Sequence, residues 1–99
     1  MKLRAVVKLP KLRAAVTEID CDPAALHRLL GGPVEQVAWA EDCVILCNRD
    51  WRRNRMEKNM RFCGRQFGGP VLFVGIRDGE RVSLSEKSAE TVMSLIRNK

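Results

Sequence analysis

Apolar residues recur at every second position from Lys2 to Leu9, which is the period of a half-buried β-strand. Pro10 and Lys11 interrupt this alternation, and a second extended run follows over Leu12–Ile19. Because the connection between the two runs is short, the pattern predicts a β-hairpin at the start of the chain.

Two helices are indicated by the residues at their ends. Asp22 can accept hydrogen bonds from free backbone N–H groups, and Pro23 suits the first helical position. Gly31-Gly32 ends this helix, since a left-handed cap is favourable without a Cβ. Ser85 is the predicted N-cap of the last helix. Its apolar stripe at helical spacing is formed by Ala89, Val92, Met93 and Ile96.

The remaining strands are predicted over residues 33–40, 42–48, 71–76 and near 81–83, with Asp78-Gly79 as the turn before the last of them. The continuous apolar run from Val71 to Ile76 is typical of a central strand covered on both faces. The order ββαββ-ββα predicts an α+β fold. We expect one domain over residues 1–99, with a single small mixed or antiparallel sheet of five to six strands and two helices packed on it.

Residues 49–69, between the fourth and fifth predicted strands, have no strand period, and we call them the basic segment. Their seven basic residues are Arg49, Arg52, Arg53, Arg55, Lys58, Arg61 and Arg65. Only Asp50 and Glu57 oppose them, and Trp51 and Phe62 are interleaved. A long connection in so small a domain is more often functional than idle.

Arginine binds phosphate through two parallel hydrogen bonds, and a tryptophan offers a face on which a base can stack. The segment therefore predicts a binding site made of Arg49, Trp51, Arg52, Arg53, Arg55, Lys58 and Arg61. The alternative is a solvated charged face in which Met56, Met60 and Phe62 only pin the segment to the core.

The net charge of +6 favours an anionic partner such as a nucleic acid, a nucleotide or an acidic protein surface. No apolar run approaches the ~20 residues that span a membrane. The N-terminus lacks the apolar stretch of a signal peptide, so we expect a cytoplasmic protein whose four cysteines stay reduced.

Several chemistries lack their usual residues. Cys43 and Cys47 do not have the spacing of a zinc site, and the only histidine, His27, is predicted to be a surface residue. No carboxylate pair is placed for acid–base catalysis, and the glycine pairs are not phosphate loops. We predict no catalytic residue, no metal and no cofactor, and hence no enzyme.

Several short runs and single residues form a pattern along the chain: Glu18-Ile19-Asp20, Leu26, the run Leu29-Leu30-Gly31-Gly32-Pro33-Val34-Glu35-Gln36-Val37, Ile45-Leu46-Cys47-Asn48, Asn54, Asn59, the run 69–75 and Ser83-Leu84-Ser85. Through this pattern the chain resembles a family of small proteins, a domain of unknown function, that is common in phages and mobile elements. After Asn48 the family is acidic, whereas this chain continues with Arg49-Asp50-Trp51-Arg52. Because the sign of the charge changes, the partner of a typical member need not be shared.

The resemblance implies a phage or mobile-element protein in a bacterial host cell, where small proteins often inhibit defence systems by stoichiometric binding. Three hypotheses stay open at this point. The chain engages nucleic acid or a nucleic-acid-binding effector through the basic segment; it sequesters a nucleotide signal with the same arginines; or it is a dimeric interaction module anchored by Trp39 or Trp51.

Overall fold

The computed structural model describes residues 2–97, and both helices and all the strands below lie within that range. The strands are β1 (Lys2–Lys8), β2 (Ala15–Asp20), β3 (Val34–Ala40), β4 (Cys43–Asn48), β5 (Lys58–Phe62), β6 (Arg65–Gly68), β7 (Val71–Arg77) and β8 (Glu80–Val82). The helices are α1 (Pro23–Leu30) and α2 (Glu86–Ile96). This arrangement confirms the predicted α+β class.

The main sheet has six strands in the order β2-β1-β7-β4-β3, and β8 pairs with the C-terminal part of β7. The pairings within it are antiparallel. From Val71 to Val74 every residue of β7 is 0% exposed. The predicted central strand, covered on both faces, is therefore confirmed.

Each face of the sheet is covered by a different layer. On one face, Leu26 and Leu30 of α1 pack against alternate residues of β7, such as Leu72. On the other face, Val92 of α2 and the β5–β6 pair pack around Phe73. The basic segment thus contributes part of the second layer.

The predicted helix ends are confirmed by their hydrogen bonds. The Asp22 side chain accepts from the backbone N–H of Ala25 at 2.9 Å. Gly31 takes the left-handed conformation, with φ 80°, and caps the end of α1. Ser85 accepts from the N–H of Ser88 at 3.1 Å at the start of α2. No helix within residues 2–97 combines the length and the apolar character needed to cross a bilayer.

The first hairpin differs from the prediction in two respects. Its second strand begins at Ala15 instead of Leu12, because Lys11 is left-handed (φ 63°) and the N–H of Leu12 donates to the Leu9 carbonyl, which lengthens the turn. Strand β1 is also covered on both faces and not half-buried, since Val6 is 0% exposed and Lys8 only 2%.

The expectation that residues 49–69 contain no strand was wrong, and a second, two-stranded sheet accompanies the main one. β5 and β6 pair as an antiparallel hairpin across Cys63-Gly64, both of which have positive φ as a type I′ turn requires. The pairing shifts register between Lys58 and Met60, which leaves Asn59 as a bulge. An unusual turn dipeptide and a bulge together hide the alternation of these strands.

Candidate functional site

Residues 49–55, which we call the basic turn, follow β4 directly and form one helical turn. The N–H of Asn54 donates to the Asp50 carbonyl at 2.9 Å, and that of Met56 donates to the Trp51 carbonyl at 2.9 Å. The turn closes at Arg55, whose φ of 54° is left-handed, in the position that glycine usually takes in a helix C-cap.

The basic turn is tied at its start to the end of α1. The side-chain amide of Asn48, which is 0% exposed, donates to the Leu30 carbonyl at 3.1 Å, and its oxygen accepts from the N–H of Asp50 at 2.8 Å. The N–H of Arg49 donates to the Pro33 carbonyl at 2.8 Å. Because buried polar groups keep their partners, these bonds fix where the turn leaves the sheet.

Trp51 lies inside this region and not on its surface. It is 7% exposed, and its indole sits so close to Gly68 that a Cβ there would meet the indole Cε3 at 1.9 Å. The Arg52 guanidinium carbon lies 4.6 Å from the centroid of the indole ring. The predicted role of Trp51 as a stacking partner for a base stays a prediction. In the free chain its buried ring packs against Gly68 and lies under the Arg52 guanidinium, so it anchors the turn and holds Arg52.

The apolar residues Met56, Met60 and Phe62 do pin the segment to the core, which both interpretations of its charges allow. The Met56 side chain approaches both Gly31 and Gly69, where added Cβ atoms would lie 3.5 and 2.7 Å from its Cε. Met60 and Phe62 are 3% and 6% exposed in the main core. Apolar packing thus orders the segment, so its cations are not needed to hold it in place.

The carboxylates near the segment are already paired. Glu57 binds Lys11 at 2.9 Å and Glu35 binds Arg65 at 2.6 Å. Asp50 binds Arg49 at 3.4 Å, a longer contact. Within residues 2–97, no carboxylate lies within salt-bridge distance of five exposed cations, which are Arg52, Arg53, Arg55, Lys58 and Arg61.

Most of the predicted site residues are brought together. Arg49, Arg52, Arg53 and Arg55 share the basic turn. Lys58 pairs with Gly68, the residue beneath Trp51, and so lies next to the turn. Arg61 is three residues further along β5, about 10 Å away, and donates to the Gly64 carbonyl at 3.3 Å. The binding roles of these six residues stay predictions.

A buried contact that the sequence did not indicate joins the hairpin to β1. The Lys8 ammonium donates to the Leu9 carbonyl at 2.8 Å and to the Asn59 side-chain oxygen at 3.1 Å. The Asn59 amide donates in turn to the carbonyls of Lys8 and Gly69, both at 2.7 Å. Burial lowers the pKa of Lys8. Nothing in an alternating strand distinguishes such a lysine from a solvent-facing one.

The groups considered for chemistry lie apart from the basic turn. Burial raises the pKa of Cys43 to about 12 and that of Cys47 to about 11, with the nearby carboxylates of Asp42 and Glu35 as smaller causes. Both are therefore thiols at neutral pH. His27 is exposed on α1, as predicted. Within residues 2–97, no three His, Cys, Asp or Glu side chains are grouped as a metal site would require.

The fold and this surface define a small α+β domain that carries a packed, arginine-rich turn. The chain belongs to the family described as "Domain of unknown function (DUF3846)", whose model matches residues 1–97. This confirms the resemblance to a domain of unknown function. Neither the curated proteins nor the solved structures contain a significant match to the chain.

Proposed function

We propose that the chain is a non-enzymatic accessory protein of a phage or mobile element that acts in the cytoplasm of a bacterial host. Through the basic turn with Lys58 and Arg61 it binds nucleic acid, or a nucleic-acid-associated effector of a host defence system, and inhibits that system by occupying it.

The observation that carries the proposal is the excess of positive charge on a packed surface. The basic segment holds seven of the 18 basic residues but two of the 12 acidic ones, and so accounts for +5 of the net charge of +6. Folding itself gains nothing from crowding like charges, which repel one another. A polyanion would remove that repulsion and gain a row of charge-assisted hydrogen bonds.

A polymer suits this surface better than a single nucleotide does. A small-molecule site is normally a concave cavity with convergent polar groups. Two surface cavities among residues 2–97, one of about 500 Å³ beside Met93 and one of about 680 Å³ beside Ile76, are lined by residues outside the basic segment. The unpaired arginines instead stand exposed on a turn, where phosphates of an extended chain can reach several at once.

A non-enzymatic role is supported by the positions of Cys43, Cys47 and His27, while the exposed Cys63 lies in the hairpin turn far along the chain from His27. Cys43 and Cys47 are buried in the core, where burial raises the pKa of each thiol and keeps it protonated. The exposed His27 lies on α1, whose buried residues pack on the sheet face opposite to the β5–β6 hairpin. Stoichiometric binding requires none of these groups.

Affinity for labelled DNA and RNA across a salt series tests the proposal. If all five unpaired cations contact phosphates of a duplex, log K falls with log salt with a slope of about −4.5. Replacing Arg52, Arg53 and Arg55 with alanine then reduces the slope in magnitude by about 2.7. The matched control replaces Arg13, Arg28 and Arg77, three exposed arginines outside the segment, and removes the same charge.

The control variant is expected to retain most of the wild-type affinity. Equal losses in the two triple variants would show that net charge alone matters and would contradict a localised surface. No binding to either polymer at low salt would remove nucleic acid as the ligand. Capture of a nucleic-acid-binding host protein, lost in the Arg52/Arg53/Arg55 variant only, would then support the effector form of the proposal.

A further inference from the structure

The aromatic residues of this chain are few and all take part in packing. The sequence has two tryptophans, three phenylalanines and no tyrosine. Phe62, Phe67 and Phe73 are at most 6% exposed. Trp39 packs edge-on against Phe62 and Phe73, with ring centroids 5.3 and 5.9 Å away. Trp51 packs against Gly68 and has the Arg52 guanidinium over its ring.

Proteins that bind single-stranded nucleic acid combine a basic groove with aromatic side chains on which successive bases stack. The basic turn has the charges of such a site and lacks the stacking faces. We infer that the ligand of the basic turn is a nucleic-acid duplex, bound through its phosphates without base stacking. This inference rests on the proposed function and specifies its ligand.

The ordered backbone of the basic turn also favours a duplex as the ligand. Arg52 is held over the Trp51 ring, and the backbone of the turn is fixed by its cap at Arg55 and by its bonds to Asn48 and Pro33. Because the backbone of the turn is already ordered, it loses little conformational entropy when it binds phosphates that are also at fixed positions. A duplex presents its phosphates at regular positions, whereas a flexible single strand must be ordered first.

The difference in counterion release gives the expected size of the preference. Each neutralised phosphate contributes a slope of about −0.9 on a duplex and about −0.7 on a single strand. For five contacts, lowering the salt tenfold then favours the duplex by about tenfold. Stacking of bases on an aromatic ring would instead favour the single strand. Its contribution would depend little on salt.

The experiment measures fluorescence anisotropy of a labelled DNA strand of about 20 nucleotides, two turns of duplex, alone and annealed to its complement, over a salt series. We expect the ratio of duplex to single-strand affinity to rise about tenfold when the salt is lowered tenfold, with the duplex bound more tightly at low salt. In a Trp39→Phe variant, which leaves Trp51 as the only tryptophan, we expect its emission to be unchanged when either form binds.

The outcomes separate this inference from the proposed function. Equal or tighter binding of the single strand, or quenching of Trp51 emission by it, would overturn the inference while leaving nucleic-acid binding intact. Binding of neither form at low salt would overturn both. Duplex preference that is lost in the Arg52/Arg53/Arg55 alanine variant, and kept in the Arg13/Arg28/Arg77 variant, would support both.

Discussion

The basic segment and the rest of the molecule are both well packed, but they differ in how their charges are used. Outside the segment, eleven basic residues accompany ten acidic ones; inside it, seven accompany two. Trp51, Met60 and Phe62 are as buried as many residues of the sheet. The segment therefore folds by the same apolar packing as the sheet, and its excess charge has no structural role that we can identify.

Two arginines of the basic segment show the same contrast at the scale of single residues. Arg65 is half-buried, donates to Glu35 at 2.6 Å and lies over the Phe67 ring. Arg53, in the basic turn, is exposed and is not in salt-bridge distance of any carboxylate within residues 2–97. Arg65 thus stabilises the fold through an ion pair, whereas Arg53 has no such partner in the described part of the chain.

The largest effect is expected from breaking the core that the two regions share. Phe73 is 0% exposed and its ring lies 5.5 Å from that of Phe62 in the hairpin. Phe73→Ala should lower the free energy of unfolding by about 3–5 kcal/mol, as measured by urea denaturation. Leu95→Ala, at a half-exposed position of α2, is the control, and a similar loss in both would contradict the description of the core.

The next effect concerns the main sheet, where two buried thiols should make the free energy of unfolding depend on pH. The pKa of Cys43 is raised from 9.0 to about 12 and that of Cys47 to about 11. Above pH 9 the unfolded chain releases protons that the folded chain retains, so stability falls as the pH rises. Each cysteine should contribute a loss of about 1.4 kcal/mol at pH 10.

Denaturation at pH 8 and pH 10 measures this effect. The wild type should lose about 3 kcal/mol more between these values than the Cys43→Ala/Cys47→Ala variant. Burial of Lys8 lowers its pKa and acts in the opposite sense up to pH 10.5, but it is common to both proteins and cancels. Val44→Ala, in the same strand, should keep the pH dependence of the wild type; losing it would refute the assignment to the thiols.

A smaller loss of stability is expected from a change at Gly68, where the basic turn packs on the β5–β6 hairpin. In Gly68→Ala the new Cβ would overlap the Trp51 indole, so the turn must shift, at a cost of about 2 kcal/mol. Gly64→Ala is the matched control in the same hairpin, because it meets open space and only strains a φ of 76°, at about 1 kcal/mol. Denaturation and tryptophan emission should both single out Gly68→Ala; a larger effect at Gly64 would contradict the packing of Trp51.

The smallest effect is expected from a change at Arg55 that raises the free energy of unfolding while it weakens duplex binding. Arg55 has a left-handed backbone, so Arg55→Gly should raise stability by up to about 1 kcal/mol while reducing the salt slope of duplex binding by about 0.9. Arg53→Gly removes the same charge at a residue without positive φ and should lower stability instead. Equal changes in stability in the two variants would contradict the cap at Arg55.

Much of the fold could be predicted because local chemistry decides it. The capping residues Asp22, Gly31 and Ser85 act on their own helices, and the apolar run of β7 shows its burial directly. The β5–β6 hairpin was missed because Cys63 occupies a turn position where Asn, Asp or Gly is usual. A bulge at Asn59 further obscures its alternation.

For the candidate site, the sequence supplies the charges but not their surroundings. Trp51 is buried because Gly68 leaves room for its indole. Glu35 and Glu57 are already paired, with Arg65 and Lys11 respectively. Several of these partners lie far apart in sequence, so neither periodicity nor composition could indicate them. They decide which arginines have no carboxylate partner and why the Trp51 ring is buried.

Amide chemical shifts of the labelled protein, recorded while a DNA duplex is added at low salt, locate the surface that the duplex contacts. We expect changes centred on residues 49–61, with the amides of α1 unaffected. Changes centred on α1 or on α2, or no change at all, would contradict the assignment of the basic turn as the surface that meets a polyanion.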